Sequence, residues 1–414
     1  MMGAQVTVVG AGIVGVCSAL FLQREGFAVT LVEAGKLGEG TSFGNAGNVS
    51  PGAVVPYLVP GILREAPRWL FDAEGPLKVR PGYFLKALPW FLQAVKHSSV
   101  ENALRTSRAM RELHGGSFEA YGELTRGTPA EALIDRCGQL YVSERDGHAS
   151  GSQLAQFMRE AAGIRAIAIS GEQVREAEPT LAPIYRSGLL LPDNGRVKNP
   201  HELTVLLAGE LQRGGGRIVQ ARIDSFAMNG RKVNAFVSEG NSTPVERLVI
   251  AAGMGSRKLA AALGIAVPLE AERGYHITVH GSNVMPRVTV TNRDLSFACA
   301  PMTVGLRVAG TAEFAGEGSP PDWSRAELLK RQAKKMFPAL ELAHVSQWAG
   351  DRPSFPDGLP ALGPAPGYDN AWFAFGNGHF GITAAPVMGK RIAEMVAGRQ
   401  PAIDMQPYSP ARFG

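Results

Sequence analysis

The sequence has little cysteine. Cys17, Cys137 and Cys299 are three among 414 residues, odd in number and widely spaced. That excludes a disulfide framework and suits reduced thiols in a cytoplasm. No CxxC pair and no His/Cys cluster offers metal-ligand spacing, so no metal is expected. Runs of one charge are missing too. The formal net charge of +5 comes from 42 Lys+Arg against 37 Asp+Glu dispersed along the chain, which argues against a nucleic-acid partner. Residues 6–23 carry no charge, yet they lack the basic flank and small-residue cleavage site of a secretory signal. Three glycines interrupt them, so no transmembrane segment is expected either.

Glycine is plentiful instead, at 50 residues. With no internal repeat, the excess reads as turns and close backbone approaches. One cluster stands at the start. VTVVG is a β-branched run of the kind a buried parallel strand shows. Gly10-Ala11-Gly12-Ile13-Val14-Gly15 then spells G-x-G-x-x-G. Gly10 allows the tight turn, Gly12 admits a pyrophosphate to the backbone, and Gly15 lets a helix pack on the strand. A helix over 13–24 would aim its free N–H groups at the phosphates. The next strand, AVTLVE, ends at Glu33, about twenty residues on, where a carboxylate accepts hydrogen bonds from ribose hydroxyls and disfavours a 2′-phosphate. A dinucleotide other than NADP is expected, with FAD and NAD both open at this point.

GTSFGNAGNVSP (40–51) has neither helical nor strand period. Thr41, Ser42 and Asn45 can hydrogen-bond phosphates, while Gly47 and Asn48 allow backbone approach to a flat ring. An ordinary surface loop is the alternative. Residues 51–110 then break the α/β rhythm, with many prolines and aromatics and, up to residue 100, six Lys/Arg against three Asp/Glu. A helix from about Tyr83 to His97 is expected there. The segment reads either as a helical cap over an active site or as a surface for a membrane or a redox partner.

Strands are expected at GQLYVS, SGLLLPDNGRV, GYHITVHG, RVTVTN, FACAPM and LRVAGTAEF, and a helix at RAELLKRQAKKMF. VERLVIAAGMGSRKLAAALG repeats strand, glycine and helix, bringing Gly253 back to the cofactor side. The cofactor domain is thus read as discontinuous, over 1–50, 195–262 and 342–414. A β-rich substrate domain occupies 51–194 and 263–341. The expected fold class is α/β (α+β overall): a Rossmann-like dinucleotide-binding domain with a discontinuous β-rich domain.

Near the end, AWFAFG reads as a strand, and Gly376-Asn377-Gly378-His379-Phe380-Gly381-Ile382-Thr383 forms a turn opening onto a helix over 383–397. Free N–H groups at such a helix start suit the C2 carbonyl and N1 of a reduced flavin, where negative charge develops. The two glycine clusters then hold two ends of one molecule, the first its pyrophosphate and the second its isoalloxazine. That selects FAD over NAD.

Taken together, VVGAGIVG, Glu33, GTSFGNAG, VIAAG, RGYHIT, LRVAGTAEF, WAGDRPSFPDGLPALG and GNGHFGIT resemble the D-amino-acid oxidase-like flavoprotein superfamily over essentially the whole chain. TSFGNAG followed by the proline-rich segment is most similar to D-amino-acid dehydrogenases, and D-hydroxyproline dehydrogenases share that pattern. The resemblance implies non-covalent, extended FAD, an antiparallel substrate sheet and oxidation of a C–N bond at an amine carbon. It adds Ala34, Ala46 and Ile223 to the cofactor contacts.

The resemblance also implies site residues. Tyr275 in RGYHIT would hydrogen-bond the substrate carboxylate or amine, or else only pack on the sheet. Arg307 in LRVAGTAEF or Arg352 in DRP would anchor the carboxylate, because a planar guanidinium matches it bidentately. His379 would meet flavin or substrate, or contribute only backbone. The chemistry implied is hydride transfer from Cα to flavin N5, giving an imino acid, with D-proline or 4-hydroxy-D-proline the first candidates. The expected partners are a small amino-acid substrate and an electron acceptor such as a quinone or a membrane respiratory chain. The expected location is the cytoplasm, free or peripheral on the inner face of the membrane. Competing readings are an amine or amino-acid oxidase of the glycine/sarcosine oxidase type using O2, an NAD-dependent dehydrogenase, and a non-catalytic nucleotide-binding module.

Overall fold

Two short branched runs, Gln5–Val9 and Ala28–Glu33, pair in parallel and bury most of their side chains. Arg217–Gln220 extends this sheet beyond Ala28–Glu33. Leu248–Ile250 and Ala371–Phe375 extend it on the other side, also in parallel, and Ala361–Pro364 closes the edge antiparallel. In the computed structural model, which describes residues 3–57, 59–61 and 74–414, these six strands form the cofactor layer.

The helices Ile13–Arg24 and Gly381–Val396 pack against each other beside that layer, and glycine makes this possible. A Cβ on Gly15 would enter the Gly10 carbonyl. One on Gly389 would lie 2.7 Å from the Cys17 carbonyl carbon and 2.8 Å from the Ser18 nitrogen. The second helix starts at Gly381, two residues earlier than the sequence suggests, and tolerates Pro386 in its interior.

The second layer is a nine-stranded sheet. Its main order is Val345–Ser354, Glu270–Val279, Gly305–Phe314, Phe297–Met302, Thr289–Asn292, Gln139–Ser143, Ser187–Leu191 and Ile167–Ser170, with Leu77–Val79 paired to Gly305–Phe314. It is antiparallel except at two joins, Thr289–Asn292 with Gln139–Ser143 and Leu77–Val79 with Gly305–Phe314. One face packs on the helix Ser324–Met336 through Ile277, Val279, Val308, Leu329 and Phe337. The other face looks toward the cofactor layer.

Two boundaries differ from the sequence reading. Val345–Ser354, expected in the cofactor domain as part of 342–414, instead edges the second sheet beside Glu270–Val279, because its ten residues pair in full register there. Val100–Gly115 and Ser117–Thr125, expected in the substrate domain, join the cofactor core. Met110, Leu113, Phe118 and Leu124 bury against the first and last helices. The cap helix spans Pro81–Lys96, its start set by Pro81 in the first turn. Residues 58 and 62–73 of the proline-rich segment lie outside the described residues. Among the described residues, no helix is long and apolar enough to cross a membrane.

The approach of Gly389 to the first helix generates a test. Gly389→Val should overpack the helix pair and lower stability by roughly 1–3 kcal/mol. Chemical denaturation of the two proteins would measure it, and an unchanged midpoint would contradict the packing described.

Candidate active site

The first glycine turn closes as the spacing requires. Gly10 adopts a φ of +105°, with the backbone of Ala251 and Ala252 at the place of its missing Cβ. Glu33, at the end of its strand, accepts the Ala11 N–H at 2.7 Å and the Gly35 N–H at 2.8 Å. This fixes the carboxylate beside the turn while leaving lone pairs for further donors. Ala34 follows it directly. Ile223 lies beyond the neighbouring strand and packs on the cluster around Val9 and Val32. Gly253 turns through a φ of +56° at the next strand end, with open space at its Cβ position.

The loop after Glu33 is held more by protein than the sequence reading supposed. Ser42 Oγ accepts the Ile13 N–H at 3.0 Å and so caps the first helix, keeping its own O–H to donate. Thr41 spends its hydroxyl on the Asp351 carbonyl at 2.9 Å. Asn45 accepts the Gly47 N–H at 2.8 Å, curling the loop through Ala46 into the left-handed Gly47. Neither Thr41 nor the Asn45 carboxamide oxygen is therefore a free phosphate ligand. The missing signal was tertiary, since Asp351 is 310 residues away.

Arg307 is the clamp on this loop. It is 4% exposed, and its Nη1 donates to the Phe43 carbonyl at 2.9 Å and the Asn45 carbonyl at 2.7 Å. Burial lowers its pKa to about 10. His276 Nδ1 bonds the Gly44 carbonyl at 3.1 Å and its ring stacks on Trp348 at 5.2 Å. Gly44 and Gly350 leave no room for side chains against that indole. His276, Trp348 and the loop carbonyls went unnoticed in the sequence, because nothing local announces a cross-domain bond.

The second cluster meets the first directly. Thr383 Oγ1 donates to the Asn48 carbonyl at 3.0 Å and accepts the Ser50 N–H at 3.1 Å. Two neighbouring helices brace the same turn: Tyr121 donates to the Ile382 carbonyl at 2.7 Å and Ser117 to the Thr383 carbonyl at 2.7 Å. Ala384 N–H reaches back to Phe380, which leaves the N–H groups of Gly381, Ile382 and Thr383 at the open helix end. Gly376 takes a φ of +92° against the Phe355 ring, and Gly378 a φ of +51° with its N–H on the Pro353 carbonyl at 2.8 Å.

The buried carboxamide oxygens of Asn48 and Asn377 have no hydrogen-bond partner among the described residues. An isoalloxazine brings both an N–H donor and carbonyl acceptors. It therefore suits two unsatisfied oxygens and an open helix start together. A pyrophosphate likewise suits Gly12, whose Cβ position faces only the Ser42 hydroxyl at 3.1 Å.

Arg352 lies at the far end of the same sheet face. Its Nη1 donates to Glu272 at 2.8 Å and to the Thr311 carbonyl at 3.1 Å, reaching across two strands. Its Nε and Nη2, which lie over Gly274, have no protein partner among the described residues. The His379 ring stands 4.3 Å from Tyr57 and 3.7 Å from Phe380. Burial, then Arg352, then His114 hold that imidazole well below its usual pKa. Tyr57 is 67% exposed, yet its phenol pKa is raised, first by desolvation and then by Glu272. Both facts fit a side chain standing in an open recess walled by protein.

Tyr275 is not in that recess. It belongs to the opposite face, where its hydroxyl donates to Glu313 at 2.5 Å and accepts the Asp322 N–H at 2.8 Å. Plain alternation with Ile277 and Val279 sends it to the helix side. His276 and Glu272 take the face expected for it.

Comparison with known proteins agrees with this architecture. The family profile described as FAD dependent oxidoreductase (DAO) matches residues 5–395. The chain is 34% identical to a D-amino-acid oxidase of Bradyrhizobium diazoefficiens, over 99% of each chain. It is 33% identical to D-amino acid dehydrogenase 2 of Ralstonia nicotianae, over 99% of this chain and all of that one. The structure of an L-proline dehydrogenase from P. horikoshii superposes with a TM-score of 0.76 at 17% identity, over 99% of this chain and 98% of that one.

Two outcomes follow from the geometry. Arg307→Met leaves two loop carbonyls buried without a donor, a cost of roughly 1–3 kcal/mol each. It should lower FAD retention on dilution far more than it lowers turnover at saturating FAD, and unchanged retention would refute the clamp. The histidines give a pH dependence. His276 titrates near 3 and His114 near 4, both lowered chiefly by burial from an ordinary 6.5. The unfolded chain thus binds more protons below pH 6.5, so their contribution to stability is full above that value and is lost as pH falls toward 4. Tm should decline across that window, and His114→Phe should flatten the decline.

Proposed function

This chain belongs to the FAD dependent oxidoreductase (DAO) family, and from that membership we propose that it oxidises the Cα–N bond of a D-amino acid as a dehydrogenase. The observation that carries the reading is Arg352, a guanidinium with one nitrogen fixed by Glu272 and Thr311 and an Nε/Nη2 edge left over a side-chain-free glycine. That edge has the planar fork geometry that binds a carboxylate bidentately. Arg307 is already committed to the loop carbonyls, so Arg352 is the anchor and Arg307 a positioning residue.

When bound, FAD supplies the hydride acceptor, flavin N5, and the substrate leaves as an imino acid. The protein's part is to hold the substrate carboxylate on Arg352 and to keep the amine uncharged. The recess suits the second task, since His276 and His379 are both held unprotonated there by burial and a neighbouring arginine. Tyr57 and His379 wall the side nearest the helix start that receives the flavin. Thr383, Asn48 and Asn377 would hold the ring, Gly12 and Ser42 the pyrophosphate, and Glu33 the ribose. FAD is held without a covalent bond: Cys17 and Cys299 are buried in the two cores, and Cys137 lies at a strand entry.

D-amino acid dehydrogenases among the relatives support the substrate class. D-proline and 4-hydroxy-D-proline are the ring-bearing candidates, on the resemblance of the proline-rich segment. Exposed Phe84, Leu85 and Leu92 on the cap helix, with Lys86 and Lys96 beside them, support a quinone or membrane acceptor. The relative named D-amino-acid oxidase favours the second reading, in which O2 takes the electrons. Peroxide formed at the rate of dye reduction would establish that second reading.

Arginine substitution is the direct test. Arg352→Ala should cost on the order of 2–5 kcal/mol of transition-state binding, a fall in kcat/KM of roughly 30-fold to several thousand-fold. Flavin content should stay normal. Arg352→Lys should recover only part of the loss, because a point charge lacks the fork. Normal kcat/KM in both variants for every amino acid tried would move the anchor elsewhere.

A further inference from the structure

The sheet face that looks at the cofactor layer can be read row by row. Tyr141, Thr291, Ala298, Ala309 and His276 lie directly opposite one another across five strands, so their side chains share that face. Gln139, two residues before Tyr141, confirms the direction. It bonds the Ser50 hydroxyl at 3.2 Å and Thr291 at 3.2 Å, and Ser50 in turn meets Thr383 at the flavin-side helix. The middle of the row is alanine, a low floor. Two residues beyond Thr291, just past the end of its strand Thr289–Asn292, comes Arg293, at the same end of the sheet as Arg352.

Arg293 is half-buried. Among the described residues its side chain has no hydrogen bond or ion pair to a protein group. The carboxylate next to it, Asp294, is already taken by Arg145 at 2.9 Å, by His148 at 3.1 Å and by the Ser143 hydroxyl. The guanidinium lies over Gly151, with Nη2 2.8 Å from where a Cβ on that residue would be. A second cation reaches the same turn. Arg159, 6% exposed, donates Nη1 to the Ser150 carbonyl at 2.8 Å and has no acidic partner among the described residues. Burial, then Arg293, lowers the Arg159 pKa, and Tyr141 opposes this weakly. Two guanidinium groups and a phenol thus converge with no protein anion among them. Arg159 is a buried cation without a counter-charge, which is costly, and an anion bound beside it and Arg293 would offset that cost.

The position says what kind of anion. Through the pairings Thr291–Ala298–Ala309–His276–Trp348, Arg293 and Arg352 come at the same end of one sheet face, the face that looks at the cofactor layer. Resting on the proposed amino-acid oxidation, we infer that Arg293, with Arg159 behind it and Tyr141 beside it, forms a second anion subsite that recognises a carboxylate on the substrate side chain. The substrate class is then a D-amino acid with an acidic side chain, held by one arginine at each end. Arg352 takes the α-carboxylate and Arg293 the distal one. Arg293 is the specificity residue, and Arg159 positions it by keeping the Ser150–Gly151 turn in place.

The test compares isosteres. Anaerobic flavin reduction in the purified holoenzyme is measured with D-glutamate, D-aspartate and D-2-aminoadipate against D-glutamine and D-norvaline. The expected result is a preference for one acidic member over D-glutamine of about tenfold or more. Arg293→Gln should remove that preference while changing D-glutamine turnover by less than about twofold. D-glutamine reduced as fast as every acidic analogue by the unmodified enzyme would overturn the inference, and so would an equal loss on both substrates in the variant. Should Arg293→Gln fail to fold, glutarate and butyrate titrated against the unmodified holoenzyme decide the matter. Glutarate should perturb the flavin spectrum at much lower concentration, and equal affinities would refute the second subsite. Failure of the parent reading looks different, since then no amino acid of either charge bleaches the flavin.

Discussion

One buried hydroxyl, that of Thr383, ties the molecule together. It donates to the loop that follows the second strand and accepts an N–H from the same loop, at a sequence separation of 333 residues for the Ser50 bond. A helix start is a set of unpaired N–H groups with a partial positive charge. Such an end is useful only if its direction is fixed. Here Thr383 fixes it from the loop side, and Ser117 and Tyr121 fix it from the helix side. The close crossing at Gly389 sets how near the two glycine turns can come. The cofactor site depends on that single join, because each half alone presents only one end of a ligand.

Much of this was legible in the sequence, for a physical reason. Gly10, Gly12 and Gly15 are dictated by local backbone geometry, and Glu33 by strand length, so their spacing alone carries the information. Six of the nine strands of the second sheet were equally plain from their branched, alternating residues, whereas Leu77–Val79, Ile167–Ser170 and Val345–Ser354 were not expected. What failed to show were relations between distant segments. Arg307 and Arg352 look alike in sequence, and only the tertiary bonds to Phe43, Asn45 and Glu272 separate a loop clamp from an open fork. Tyr275 alternates with Ile277 and Val279 onto the helix face, and nothing in its own residues says which face of the sheet meets the helix. The strand Val345–Ser354 could not reveal from its own residues which of two sheets it would complete.

The electrostatic character of the recess follows from the same constraint. Burial removes water from the imidazoles of His114, His276 and His379, and the pKa of all three is lowered. The arginines cannot respond in that way, since a guanidinium keeps its charge. Each must find compensation. Arg307 finds it in backbone carbonyls and Arg352 in Glu272. The environment is thus dry toward bases and cationic toward acids, an arrangement that sorts small molecules by charge before any side-chain shape is considered.

The division of the cofactor site between the two glycine clusters also bears on how the protein is made. During synthesis the first turn leaves the ribosome hundreds of residues before Gly376 and Thr383. At roughly 5–20 residues per second that interval is on the order of tens of seconds. Throughout it the Gly10 turn and the loop to Ser50 have nothing to close against, and the central strand Gln5–Val9 awaits Leu248–Ile250 as its neighbour. Such long-range pairing makes for slow, late consolidation. On the proposed division of the site, flavin capture follows translation rather than accompanying it. A nascent chain stalled before the last helix would present an unpaired strand edge to chaperones, whereas a chain that has become yellow has passed its own completeness check.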